Sequence, residues 1–287
     1  MSYIITTDSG CDIKANVLRE WGVEYTCLTF RFEGEDIEYS NDDMEISEFY
    51  TRMKAGCVAK TSAVNPEAFT EMFERILAGG NDILHIGFSS GLSTTTNSAR
   101  IAADELMEKY PERKVIVVDT LCASAGQGLV VYLAKNMKSE GATIYEVASY
   151  VEEIKNCICH WVTVEDLEYL KRGGRVSPTV AFVGKALGIK PIIRVDENGK
   201  LESFSKVRGR KASLTYLLDK YGEQCEDPAN GTIFISHADS AEDAAALADM
   251  FKEKYGVEVE HMTDIGTVVG AHAGPGTIAL FYIGTAR

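Results

Sequence analysis

The chain has 287 residues, 45% of them hydrophobic and 25% charged, and at about 150 residues per domain it is long enough for two domains. Its formal net charge is −14, which opposes sequence-independent nucleic-acid binding because such binding needs a cationic surface. No apolar run approaches the roughly 20 residues of a membrane span, and no basic segment precedes an apolar one at the N-terminus. We therefore predict a cytoplasmic protein without an integral membrane segment.

Short runs of β-branched and aromatic residues predict strands that are buried on both faces. In chain order they are Tyr3–Asp8, Ile83–Phe88, Val115–Asp119, His160–Val164, Ile189–Val195, Ile233–His237 and Leu280–Ile283. Apolar residues spaced by three and four predict helices after Pro66, after the Thr143 capping box and after Ser240. Strands that alternate with helices predict an α/β protein.

The alternation is regular to about residue 156 and then changes. The polar turn Asp196–Gly199 lies between the apolar runs Ile192–Val195 and Leu201–Phe204, which predicts a β-hairpin. We predict a parallel-sheet first domain over residues 1–156 and a mixed-sheet second domain over residues 157–287, with an approximate boundary.

Two segments rich in hydroxyl groups precede predicted helices. Ser89 to Thr96 follow the strand Ile83–Phe88, and Thr61 and Ser62 lie in a predicted loop before Pro66. Helix N-termini present N–H groups without intrahelical partners, so both segments suit a carboxylate or a phosphate, although each could simply cap its helix. Because neighbouring α/β units can face one crevice at their strand ends, the two segments predict a shared anion site.

A glycine-dense segment, Gly266–Gly276, carries a single histidine, His272. A histidine held by such a loop can donate a hydrogen bond to an acid. The P-loop pattern is absent from the sequence, and Gly126 and Gly128 lack the third glycine of a dinucleotide site, so no nucleotide cofactor is predicted. The cluster Cys157–His160 has no second group of ligands, so no metal is predicted either.

A second interpretation is a hydrolase. The segment Gly87–Gly91 matches the GxSxG pattern with Ser89 as the nucleophile, and Asp264 and His272 follow in the order of an α/β-hydrolase triad. No oxyanion segment of the usual kind is recognisable upstream. A serine esterase-like activity therefore stands as the alternative function.

A compact basic turn contains Lys171, Arg172 and Arg175 around the pair Gly173-Gly174. In an acidic protein such a turn could steer an anionic partner or neutralise a phosphoryl group, although most charged turns are simply solvated.

Over nearly its whole length the sequence resembles the DegV family of bacterial fatty-acid-binding proteins. The segments that carry the resemblance occur in family order: Asp8–Asp12, Thr61-Ser62, Ser89–Ser93, Asp119-Thr120, Leu167–Ser177, Ile189–Pro191 and Gly270–Gly276. The resemblance implies two α/β domains with one long-chain fatty acid in an apolar tunnel between them. It also implies a carrier without catalysis or a cofactor of its own.

In this resemblance, Thr61 and Ser93 would hydrogen-bond the carboxylate, His272 would close the site, and Ser62 and the backbone near Thr94 would assist. Members that serve fatty acid kinases present the acid to a separate kinase protein, which phosphorylates it with ATP for phospholipid synthesis. The basic turn of Lys171, Arg172 and Arg175 would then dock the kinase or support phosphoryl transfer.

The sequence departs from the family directly after Ser93. Thr94, Thr95 and Thr96 stand where the family usually has glycine, threonine and an aromatic residue. The departure predicts an altered backbone path and a changed pocket wall at this turn.

Overall fold

The computed structural model describes residues 2–176 and 188–287. Its strands are β1 (Tyr3–Asp8), β2 (Val23–Thr26), β3 (Thr29–Phe32), β4 (Tyr39–Ser40), β5 (Ala59–Ser62), β6 (Asp82–Gly87), β7 (Val115–Asp119), β8 (Ile158–Thr163), β9 (Ile189–Val195), β10 (Leu201–Arg208), β11 (Ile233–His237), β12 (His261–Asp264) and β13 (Ile278–Ile283). Its helices are α1 (Ala15–Glu20), α2 (Ile46–Lys54), α3 (Pro66–Ala78), α4 (Thr95–Lys109), α5 (Ala125–Ser139), α6 (Ile144–Ile154), α7 (Glu168–Arg172), α8 (Arg210–Gln224), α9 (Ala241–Tyr255) and α10 (Thr267–Ala273). The predicted strands correspond to β1, β6, β7, β8, β9, β11 and β13.

The first sheet is parallel, as predicted, with the strand order β2-β1-β6-β7. Every residue of β6 is buried, because helices cover both faces of the sheet. Ile83 packs into a cluster with α3 and α4, whereas Leu84 and Ile86 pack into a cluster with α5 and α6. This two-sided burial explains why β6 has apolar residues that point to both faces of the sheet.

The second sheet is mixed, as predicted, with the order β10-β9-β8-β13-β11-β12. Only β11 and β12 pair in parallel, and the predicted hairpin is formed by β9 and β10. Its strands alternate between two faces. On β8, Cys159 and Trp161 pack against the cluster of α8 and α9. Because side chains alternate along a strand, His160 and Val162 point to the opposite face, toward the first sheet.

A third, three-stranded antiparallel sheet, with the order β4-β3-β5, was not predicted. Thr61 and Ser62 belong to its strand β5, so the prediction of a loop at these residues is wrong. The sequence gives little sign of β5, because it has four residues, Ala59–Ser62, without a long apolar run. Its structure comes from pairing with β3, where Phe30 lies opposite Thr61.

The hydrophobic core continues across residue 156. The cluster that contains Leu129 and Val130 of α5 also contains Ile158, Phe234 and Phe281 from the second sheet. The domain boundary at residue 156 therefore stays a prediction, while the packing joins the two sheets through α5.

Candidate functional site

A cavity lies between one face of the second sheet and the segments that follow strands of the first half. The space between its walls is ≈ 880 Å³, including the part that opens to solvent. Most of its wall is aliphatic or aromatic: Leu28, Phe88, Leu92, Val162, Val164, Leu170, Ile193, Val195, Leu201, Ile265, Val268, Val269, Ala279 and Phe281. Such a wall suits a long apolar ligand.

Polar side chains gather at one end of the cavity. Thr61, at the end of β5, lies with its Oγ1 2.8 Å from Nε2 of His272, in the last turn of α10. Gly173 sits behind the imidazole, because a Cβ atom there would come within 2.1 Å of the His272 Nδ1. The structure therefore brings Thr61 and His272 together and holds the ring from behind.

His272 is uncharged at neutral pH. Burial lowers its pKa to about 4, and the nearby cations Arg175 and Arg172 act in the same direction. A neutral imidazole has one N–H group. If Nε2–H donates to Thr61 Oγ1, the Thr61 hydroxyl proton is available to a ligand oxygen.

Ser93 lies in the second hydroxyl-rich turn and also lines the cavity. Its Oγ is 2.9 Å from Oγ1 of Thr95 and accepts a hydrogen bond from the Thr95 N–H at 3.2 Å. Thr95 Oγ1 in turn accepts from the backbone N–H of Val64, just beyond β5, at 3.3 Å. Thr95 thus connects the turn of Ser93 to the segment that follows β5. This role of Thr95 was not predicted from the sequence.

The other two candidate residues, Ser62 and Thr94, lie farther from the centre of the site. Ser62 is exposed and lines the cavity, so it lies at the rim. Thr94 is exposed, its side chain makes no capping hydrogen bond, and its φ of −83° is ordinary for any residue. The threonine in place of glycine therefore needs no altered backbone path. Thr96, in the place of the aromatic residue, is buried and donates to the Phe88 carbonyl oxygen.

The structure divides the basic turn into two parts. Lys171 and Arg172 are exposed on α7, where the Arg172 guanidinium lies 4.9 Å from the centre of the Tyr169 ring. Arg175 instead lines the cavity and donates from Nε to the Leu92 carbonyl oxygen at 3.2 Å. Ser177, the last residue of the resembling segment, lies outside the described residues.

Strand register shows the direction in which the cavity runs. Thr277 donates to the carbonyl oxygen of Ala273, the neighbour of His272, at 2.9 Å, and so marks the polar end. Further along β13, Ala279 lies opposite Val162, and Phe281 lies opposite His160. Thr277 directly precedes β13, and the four-residue step from Thr277 to Phe281 corresponds to about 13 Å of extended chain. The cavity therefore extends from Thr61 and His272 toward a far wall at His160 and Phe281.

His160 forms a rigid and uncharged part of that wall. Its Nδ1 donates to the Ile158 carbonyl oxygen at 2.9 Å, and its Nε2 accepts from the Ala123 N–H at 3.2 Å. Burial, with a smaller effect of Arg287, lowers its pKa to about 3. Because both ring nitrogens are hydrogen-bonded, this histidine presents an aromatic surface to the cavity. Only the alternation along β8 could have indicated its position from the sequence.

The structure does not assemble the hydrolase triad. The Ser89 hydroxyl donates to the Gly199 carbonyl oxygen at 2.7 Å and accepts from the Gly91 N–H at 3.2 Å. Asp264 pairs instead with Lys14 at 3.0 Å, and His272 with Thr61. Ser89 is fully buried, so the GxSxG turn serves to join the β6–α4 turn to the β9–β10 hairpin.

The described residues offer no metal centre of three or more His, Cys, Asp or Glu side chains. None of the helices in residues 2–176 and 188–287 has the length and the apolar character needed to cross a membrane.

Comparison with known proteins gives one consistent result. A DegV domain-containing protein of Clostridium perfringens is 42% identical over 286 residues, which cover 99% of this chain and 98% of that protein. A fatty-acid-binding DegV family protein from Thermus thermophilus has a similar structure, with a TM-score of 0.88 and 28% identity over 99% of this chain and 100% of that one.

A further solved structure includes a ligand. The DegV family protein of Eubacterium eligens, loaded with heptadecanoic acid, superposes with a TM-score of 0.87 at 26% identity and covers 99% of this chain and 100% of that one. The profile of the family described as "Uncharacterised protein, DegV family" matches residues 2–285. The chain therefore belongs to the DegV family.

Proposed function

We propose that this protein binds one long-chain fatty acid and presents it to a separate fatty acid kinase for acyl-phosphate formation. The observation that carries the proposal is the position of the Thr61–His272 pair at one end of a cavity whose other walls are mostly apolar. Similar proteins from T. thermophilus and E. eligens bind fatty acids. The protein itself then acts as a carrier without catalysis.

Each part of a fatty acid has a counterpart in the cavity. The carboxylate accepts hydrogen bonds from the hydroxyl groups of Thr61 and Ser93, with His272 fixing the Thr61 proton. Ser62 at the rim and backbone N–H groups near Thr94 assist. The tail lies against the face that β8 and β13 present to the cavity, where each buried methylene contributes about 0.8 kcal/mol.

Extraction of lipid from the purified native protein tests the binding function. Mass spectrometry of the extract is expected to show one long-chain acid per protein molecule. Extracts without acid, together with no saturable binding of added fatty acids, would overturn the proposal. Covalent labelling of Ser89 by a fluorophosphonate, accompanied by ester hydrolysis, would instead favour the hydrolase alternative.

Removal of single hydroxyl groups tests the carboxylate position. We expect Thr61→Val and Ser93→Ala each to weaken binding of cis-parinaric acid by about tenfold to hundredfold, because a hydrogen bond to a charged group contributes about 1.5–3 kcal/mol. Fluorescence titration measures the dissociation constants.

Thr70→Val is the control for Thr61→Val, since Thr70 lies on α3 and does not line the cavity. Affinities of Thr61→Val and Ser93→Ala equal to that of the native protein would place the carboxylate elsewhere.

Presentation to a kinase is tested by separating the two parts of the basic turn. Lys171 and Arg172 are exposed, so their joint replacement by alanine is expected to leave fatty-acid affinity unchanged and to slow productive encounter with the kinase. Arg175→Ala is expected to weaken binding of the acid itself by about tenfold, because Arg175 lines the cavity.

Acyl-phosphate formation by a cognate kinase, measured against carrier concentration at two salt concentrations, distinguishes these roles. If the Lys171→Ala/Arg172→Ala variant forms acyl phosphate more slowly than the native protein, and this difference shrinks at high salt, the two charges assist association with the kinase. Unchanged kinetics at both salt concentrations would exclude these two residues from kinase recognition.

A further inference from the structure

The segment Asp8–Asp12, which begins at the last residue of β1, contacts several walls of the cavity without lining it. We propose that its polar side chains are positioning residues that hold four separate wall segments in register around the acid site. The inference rests on the proposed function for the identity of the ligand.

Asp8 holds the wall that leads to Ser93. Its Oδ2 accepts a hydrogen bond from the backbone N–H of Phe88 at 3.0 Å and another from Gln127 Nε2 at 3.2 Å. The Phe88 ring rests against Gly10, where a Cβ atom would come within 2.5 Å of the ring. Phe88 lines the cavity and begins the turn that ends at Ser93, so Asp8 fixes the origin of that turn.

Ser9 holds a second wall. Its Oγ accepts from the backbone N–H of Leu28 at 3.0 Å, and Leu28 lines the cavity. The chain continues directly from Leu28 into β3, which pairs with β5 so that Phe30 lies opposite Thr61. The Ser9 contact therefore positions the strand pair that carries Thr61.

Asp12 joins the two remaining walls. Its Oδ1 accepts from the Gly266 N–H at 2.9 Å, and its Oδ2 accepts from the Ser124 hydroxyl at 2.5 Å. Gly266 directly precedes α10, which carries His272, and Ser124 lines the cavity directly before α5. One buried carboxylate thus links the helix of His272 to the opposite wall.

The local backbone depends on these contacts. Ser124, which donates to Asp12, has a φ of 54° and a ψ of −148°, a combination that a non-glycine residue keeps only when its surroundings hold it. Helix α10 has seven residues, too few to be stable by intrinsic propensity, so its position follows from tertiary contacts. Loss of the Asp12 contacts should consequently move His272.

The test is the substitution Asp12→Asn. The amide oxygen can still accept from Gly266, but the NH₂ group cannot accept the Ser124 proton. We expect a loss of affinity for cis-parinaric acid of up to about tenfold, the size of one ordinary hydrogen bond. We also expect a shifted His272 ring resonance in the NMR spectrum of the ligand-free protein.

The matched control is Asp82→Asn. Asp82 is also buried, and its Oδ1 accepts from the backbone N–H of Lys114 at 3.0 Å, but it begins β6 at the opposite end of the sheet from the cavity. This variant is expected to lose stability in urea while it keeps its affinity and the His272 resonance. Equal losses of affinity in Asp12→Asn and Asp82→Asn would show general destabilisation and overturn the proposal.

Two further outcomes are decisive. An Asp12→Asn protein with native affinity and an unmoved His272 resonance would also overturn the proposal. Should Asp12→Asn not fold, Ser9→Ala provides a milder test at Leu28, with the same expected direction of change in affinity and native affinity as the contrary result. If the native protein binds no cis-parinaric acid, the proposed function fails, whereas the His272 resonance still tests the positioning role.

Discussion

Ala279→Phe is expected to weaken the binding of long-chain fatty acids by roughly a hundredfold. Ala279 lines the middle of the cavity on β13, opposite Val162, and is 2% exposed. A phenyl ring there would exclude about four methylenes of the tail, which at about 0.8 kcal/mol each corresponds to roughly a hundredfold loss of affinity. Titration with acids of increasing length measures the effect, and the loss should grow once the tail is long enough to reach Ala279.

Ala245→Phe makes the same change on the exposed side of α9 and should leave affinity unchanged. A loss for acids of every length would place the tail elsewhere or indicate misfolding, which a urea titration of both variants distinguishes. Native affinity of Ala279→Phe for all acids would contradict the proposed path of the tail.

Gly173→Ala is expected to disable the polar end of the cavity. The added methyl group would come within 2.1 Å of His272 Nδ1, so the ring or the helix that carries it must shift, which disturbs the contact with Thr61. The hydrogen bond from Thr61 to the carboxylate would then be lost, and at about 1.5–3 kcal/mol this corresponds to roughly a tenfold to hundredfold loss of affinity. Fluorescence titration gives the affinity, and the His272 ring resonances report the displacement.

Gly222→Ala is the matched control, because it introduces a similar steric clash away from the cavity. A Cβ atom at Gly222, on α8, would come within 2.1 Å of the Tyr255 hydroxyl oxygen, and neither residue lines the cavity. This variant should retain native affinity. If Gly173→Ala also binds normally although its His272 ring is displaced, the ring does not act through its contact with Thr61.

The fold class could be predicted because its signals are local. Strands such as β7 and β11 appear in the sequence as short runs of β-branched and aromatic residues, since both of their faces are buried or half-buried. The capping box at Thr143 likewise identifies the start of α6, because its contacts lie within four residues. Strand β5 escaped prediction because its stability comes from pairing with β3.

The site was predicted only in part. Hydroxyl groups before helices indicated an anion site at Thr61 and Ser93, and the structure places Thr95 between these two turns. The basic turn, in contrast, looked uniform in the sequence. Its division between the exposed Lys171 and Arg172 and the cavity-lining Arg175 depends on how α7 packs against α10.

The sequence by itself determined the alternation of strands and helices, the two hydroxyl-rich segments and the resemblance to the DegV family, because each depends on residue types at short spacing. Tertiary structure decided that Thr61 contacts His272, 211 positions away, and that Ser89 contacts Gly199 rather than a histidine. It also decided which face of the second sheet forms the cavity. These features arise from chain segments that meet only after folding, and the pattern of neighbouring residues carries no signal of such contacts.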